Sequence, residues 1–193
     1  MERAPLDLSR LREALGARWP RIEVVDETGS TNADLLGDPA SPARAVRIAE
    51  FQNAGRGRLD RSWASPPRAG LTFSVLLRPS APLARWGWLP LLTGVAVVNA
   101  VSRAGLADAR LKWPNDVLVA PQEGKLAGIL AQAKDGAVVL GCGLNVTTTA
   151  AELDGTPGTS LALEGLDTDR TALLIDILTE LDSQVARWDD VGG

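Results

Sequence analysis

At 193 residues, with 45% hydrophobic and 23% charged positions, the chain has the length and balance of one globular domain with a real core. Its 24 acidic and 20 basic residues leave a formal charge of −4, which argues against a general nucleic-acid binder, whose surface is basic. The lack of histidine excludes a Ser-His-Asp triad, a His-liganded zinc and a histidine base, and the single cysteine, Cys142, excludes an internal disulfide or C-x-x-C pair.

The N-terminal M-E-R-A-P-L-D-L has no apolar run of the signal-peptide kind. Leu6, Leu8, Leu11 and Leu15 recur at near-helical spacing and predict an amphipathic helix over 7–18. Residues 21–26 read as a strand, and a short helix capped by Ser30 or Thr31 follows, reaching Leu36. Strands are expected over 46–51 and 71–77. A largely buried helix over 86–104 ends at Gly105. The apolar segment 86–101 is broken by Gly87, Pro90, Gly94 and Asn99 and is short for a membrane span, so a cytoplasmic protein is expected. Residues 110–113 and 117–119 read as strands around a Pro-Asn-Asp corner. A hairpin pairs 126–133 with 137–146 around Lys134-Asp135-Gly136, and a last helix spans 169–188. Helices and strands alternate without a βαβ beat, which predicts α+β with a mixed, mostly antiparallel sheet flanked by helices. Cys142, within V-V-L-G-C-G-L, reads as a small buried hydrophobe.

The densest chemical signal is residues 52–63, Q-N-A-G-R-G-R-L-D-R-S-W, with two glycines and three arginines. Glycine lets backbone approach a ligand closely, and arginine offers a fixed fork of donors to carboxylate and phosphate oxygens. Such a loop suits an anion, and its glycines and lack of apolar anchors predict that it moves when empty. Two of the three lysines, Lys112 and Lys125, lie in K-W-P-N-D at 112–116 and G-K-L-A-G-I-L at 124–130.

Those segments, with S-T-N at 30–32, A-E-F-Q-N-A-G-R-G-R at 49–58, S-W-A-S-P at 62–66 and G-L-N at 143–145, strongly resemble the biotin–protein ligases, in matching order and spacing over about residues 22–150. The resemblance implies one catalytic domain over 1–193. On the same resemblance no winged-helix DNA-binding domain is expected before it, nor the small SH3-like β-barrel that normally follows in that family. The implied reaction joins biotin to ATP with Mg²⁺ assistance, giving biotinyl-5′-AMP. The biotinyl group then passes to a lysine of a carboxylase carrier domain. The implied partner is that carrier domain, with no nucleic acid and no membrane, and the chain is expected to be a monomer or weak homodimer. Lipoate ligation, or binding of biotin or adenylate without transfer, are the alternatives.

On this resemblance Lys125 and Arg58 are the catalytic cations. Ser30, Thr31, Asn32, Gln52, Gly55, Arg56, Gly57, Arg58, Lys125 and Gly128 are expected to bind biotin. Arg58, Arg61, Trp63, Lys112, Asn115, Asp116 and Asn145 are expected on the nucleotide side, where a carboxylate could order Mg²⁺ or water. No residue is assigned as a certain metal ligand. Several positions carry a second reading: Ser30 as a helix cap, Lys112 as a strand-edge charge, Trp113 as core, Asp116 as a turn former and Lys125 as a solvated hairpin residue. The Leu59-Asp60 pair makes the loop less positive than in some relatives.

Overall fold

Asp7 starts the first helix: its carboxylate accepts from the Ser9 and Arg10 amides, and helix α1 (Leu8–Leu15) buries Leu11 and Leu15. The computed structural model describes residues 3–59 and 61–193, so Asp60 and the first two residues lie outside the described residues. Strand β1 (Arg21–Val25) leads to α2 (Thr31–Gly37), whose N-cap is Ser30. Strands β2 (Ala45–Ala49) and β3 (Gly70–Leu77) flank the Gly-Arg loop. The helix expected over 86–104 begins later: a 3-10 turn covers Leu83–Trp88 and α3 covers Leu89–Arg103. Pro90 explains the boundary, because it has no N–H and is tolerated in a helix only within the first turn. Strands β4 (Ala109–Lys112), β5 (Asp116–Val119), β6 (Gly124–Lys134) and β7 (Ala137–Asn145) follow, and α4 (Arg170–Asp190) ends the fold, capped by Asp169. The β6–β7 turn has φ of 50° at Asp135 and 72° at Gly136, the two left-handed positions of a tight hairpin turn.

The seven strands form one sheet in the order β1-β2-β3-β7-β6-β5-β4, with β1 and β2 parallel and the other neighbours antiparallel. This is the predicted α+β class. Period-2 alternation gives the sheet two faces. Leu71, Phe73, Val75 and Leu77 of β3, with Val138, Leu140, Cys142 and Leu144 of β7, join the main core under α1, α3 and α4. On the other face Leu76, Ala137 and Val139 meet Leu35 of α2 in a small second cluster. Beyond the reach of α2, that second face forms the floor of a cavity. Among the described residues no helix is long and apolar enough to cross a membrane.

Candidate active site

The floor of the cavity is built by omission of side chains. Gly143 on β7 lies between Thr72 of β3 and Gly128 of β6, and Gly141 lies between Ser74 and Leu130. A Cβ at Gly143 would collide with the Trp63 indole, and one at Gly141 with the Asn32 amide. Both neighbours therefore lie against backbone. The cavity they leave measures about 180 Å³.

One end of its wall is neutral and tightly wired. Ser30, Thr31 and Asn32 open α2 and are all buried. The Thr31 amide donates to Gln52 Oε1 (2.7 Å), Thr31 Oγ1 meets Ser74 Oγ (2.7 Å), and the Ser74 hydroxyl donates to Asn32 Oδ1 (2.6 Å). Asn32 Nδ2 donates to the Leu130 carbonyl and to Gln132 Oε1. Both amide hydrogens are thus used, which leaves Asn32 an oxygen lone pair to offer a ligand. The Ser30 hydroxyl accepts from the Ala33 amide and keeps its own proton to donate.

The other end carries charge. The Gly-Arg loop folds back on itself: the Gly57 amide donates to Arg61 O, the Trp63 amide to Gly55 O, and Arg56 bridges to Ser62. At Gly55 a Cβ would strike the Trp63 carbonyl, so that glycine closes the two arms without lining the cavity. Arg56, Gly57, Arg58, Leu59 and Arg61 do line it. Arg58 reaches the sheet, donating to Asn115 Oδ1 (3.1 Å). Asn115 Nδ2 in turn donates to Asp116 Oδ1, which pairs with the Lys125 ammonium at 2.8 Å. The two expected catalytic cations therefore meet through the Asn115-Asp116 corner. Lys125 also stands 5.7 Å from the centre of the Trp63 ring, within cation–π range. The indole N–H of Trp63 is buried without a partner.

Lys125 owes its direction to a β-bulge. Val117 pairs with Ala127 but Leu118 pairs with Lys125, so Leu126 is an extra residue on β6. Three positions apart on a regular strand, Lys125 and Gly128 would face opposite sides. With the bulge they share a face: the Lys125 ammonium is the neighbour that a Cβ on Gly128 would meet, at 3.2 Å. Leu126 turns into the core, fully buried.

Two expected residues lie elsewhere. Lys112 is exposed at the end of the edge strand β4, one strand further out than Asp116, and does not line the cavity. Asn145 is buried and donates to the Thr159 carbonyl at 3.0 Å. It fastens a passing segment, whose Pro157 carbonyl and Thr159 amide bond the backbone of Lys125. Its link to the cavity is thus indirect. Trp113, expected in the core, is 78% exposed instead, because the Pro-Asn-Asp corner turns it outward. Cys142 packs in the main core, and burial pushes its thiol up to about 12, so it stays protonated and inert. Ser74, Gln132 and Gly141 were not singled out in the sequence. A lone serine amid the apolar run of β3 was the available signal.

No group of three or more His, Cys, Asp or Glu side chains able to hold a metal occurs among the described residues. Asp116 is the one carboxylate among the described lining residues. That donor set suits Mg²⁺ only as it accompanies a polyphosphate, keeping most of its waters, rather than in an all-protein cage.

Residues 22–146 match the Biotin/lipoate A/B protein ligase family. The chain is 44% identical to the biotin–[acetyl-CoA-carboxylase] ligase of Mycobacterium tuberculosis, over 96% of this chain and 73% of that protein. It is 32% identical to the bifunctional ligase/repressor BirA of Escherichia coli, over 97% of this chain and 61% of that protein. Its fold is similar to that of the biotin protein ligase of Aquifex aeolicus in complex with biotin and ATP, with a TM-score of 0.77 and 31% identity, covering 88% of this chain and 72% of the other. The chain belongs to the biotin/lipoate A/B protein ligase family.

Proposed function

We propose that this chain ligates biotin to a lysine of a carboxylase carrier domain, using ATP and passing through biotinyl-5′-AMP. The observation that carries the reading is the meeting of Lys125 and the Arg58 loop over one cavity whose other end is lined by neutral amides and hydroxyls. Ser30, Asn32 and Gln52 supply the donors and acceptors that a ureido ring needs. Lys125 holds the biotin carboxylate against the α-phosphate, and Arg58 and Arg61 lie over the phosphates. In the first step a carboxylate oxygen forms a bond to the α-phosphorus and pyrophosphate leaves. The two reactants repel each other, so preorganised cations lower the barrier, by roughly 3 kcal/mol for each well-placed donor.

Asp116 keeps Lys125 aimed until the ligand anions take its place. Mg²⁺, arriving with the nucleotide, would neutralise phosphate charge beside Asp116 and Asn115. Trp63 lies at the nucleotide side, where an aromatic face can stack on the base. In the second step the carrier amine attacks the mixed anhydride, an amide forms and AMP leaves. Neither step calls on a nucleophile of the enzyme.

The test is biotin-dependent ATP–pyrophosphate exchange, followed by a streptavidin blot of a carrier domain incubated with ATP and biotin. Absence of both signals with Mg²⁺ present overturns the reading. Calorimetric competition between biotin and lipoate separates this reading from lipoate ligation, because lipoate has no ureido group for Asn32 and Ser30 to bind.

A further inference from the structure

Arg170, the first residue of α4, does not line the cavity and is almost wholly buried, with a side chain 8% exposed against 4% for its partner Glu50. Its guanidinium donates to Glu50 Oε2 (2.8 Å), to the Gly70 carbonyl (2.9 Å) and to the Ala4 carbonyl (2.6 Å). Glu50 and Gly70 are the two ends of the segment that carries the Gly-Arg loop. The same ends are tied again by the Arg68 amide, which donates to the Glu50 carbonyl. The second oxygen of Glu50 accepts from the Leu6 amide at 2.6 Å. One side chain of the last helix thus joins both feet of the loop, while Leu59, within the loop, is 83% exposed.

A buried ion pair is weak evidence for stability, since well-packed apolar residues of similar volume often serve as well. What an apolar pair could not do is collect two main-chain carbonyls and a carboxylate at a single point. Arg170 does this with the fixed fork of its guanidinium, which a lysine would reproduce only in part.

We propose that Arg170, with Glu50, is a positioning residue that pins the feet of the Gly-Arg loop, so that Arg58 closes over the cavity in one register and the bound adenylate is retained. Arg170 touches no substrate and acts only through the loop. The chemical readout of this proposal rests on the ligase reading above; its structural readout does not.

Three variants, Arg170→Gln, Arg170→Lys and Glu50→Gln, are compared with the wild type and with Val185→Ala. The last is a buried α4 position remote from the loop that controls for a general loss of stability. Limited trypsin digestion well below the melting temperature, with cleavage after Arg56, Arg58 and Arg61 read by mass spectrometry, reports on the loop itself. The expected result is at least a tenfold faster cleavage there in Arg170→Gln and Glu50→Gln, a smaller increase in Arg170→Lys, and none in Val185→Ala. In the presence of biotin and ATP the same order should appear as biotin label on bystander lysines, relative to the pyrophosphate-exchange rate. Equal cleavage in Val185→Ala and Glu50→Gln at matched melting loss overturns the proposal, and Glu50→Gln decides it if Arg170→Gln does not fold. A wild type that makes no adenylate overturns the ligase reading alone, because the digestion arm still judges the pin.

Discussion

The strands β3 and β7 present two unlike surfaces from one backbone. Toward the helices they place Leu71, Phe73, Val75, Leu140 and Leu144, and space is filled. Toward the cavity they place Thr72, Ser74, Gly141 and Gly143, and space is withheld. Every residue of both strands is buried, so burial does not tell the faces apart. What differs is the volume and polarity of alternate side chains. Losses on the helix side should therefore fall on stability, and losses on the cavity side on ligand handling.

The largest expected effect lies on the helix side. Phe73→Ala leaves a void beneath α3 and α4 and should cost about 3–5 kcal/mol of stability in urea unfolding. Biotin affinity measured on the folded fraction should change far less. A variant that lost affinity without losing stability would break the division between the faces. Next comes Lys125→Ala on the cavity side. Biotin-dependent pyrophosphate exchange should slow by about 10²–10³-fold, as for loss of one preorganised donor, with a melting midpoint near that of the wild type. Exchange at the wild-type rate would remove Lys125 from the chemistry.

Gly143→Ala tests the withheld volume itself. The added methyl displaces the Trp63 ring at a cost of roughly 1–3 kcal/mol, which should appear as weaker nucleotide binding in calorimetry. Unchanged nucleotide affinity would separate Trp63 from the nucleotide side. The smallest effect belongs to neither face. The hydrogen bond from Arg3 is the chief cause that holds the Glu152 carboxyl down at about 2, from an ordinary 4.5. A carboxyl lowered in the folded state contributes stability above its unfolded value, and that share is lost as pH falls from 4.5 to about 2. The pair is partly exposed, so the share is at most about 1 kcal/mol. Arg3→Ala should flatten the stability curve in that window and leave pH 7 activity alone.

Much of this arrangement was legible in the sequence. Helix caps, the Asp-Gly turn and apolar spacing located the elements because each acts over a few residues. The Gly-Arg loop, K-W-P-N-D and Lys125 declared their charge through residue type. Ser74 escaped because its partners, Thr31 and Asn32, lie more than 40 positions away and only the sheet brings them together. Lys112 and Asn145 share motifs with lining residues yet do not line the cavity themselves, because a motif names neighbours in sequence, whereas strand order decides which of them reach it. Trp113 was expected inside on hydrophobicity alone, and the corner after it turned the ring outward.

The irregularity at Leu126 makes the direction of the Lys125 ammonium a matter of counting rather than of identity. Deleting that one residue would restore plain alternation, with Lys125 and Gly128 two positions apart and still on one face, and would remove a fully buried leucine from the core. An exchange of Lys125 and Leu126 would instead aim the charge at the apolar core without changing composition. A count of residue types would pass such an exchange as intact, and only an assay would tell it apart.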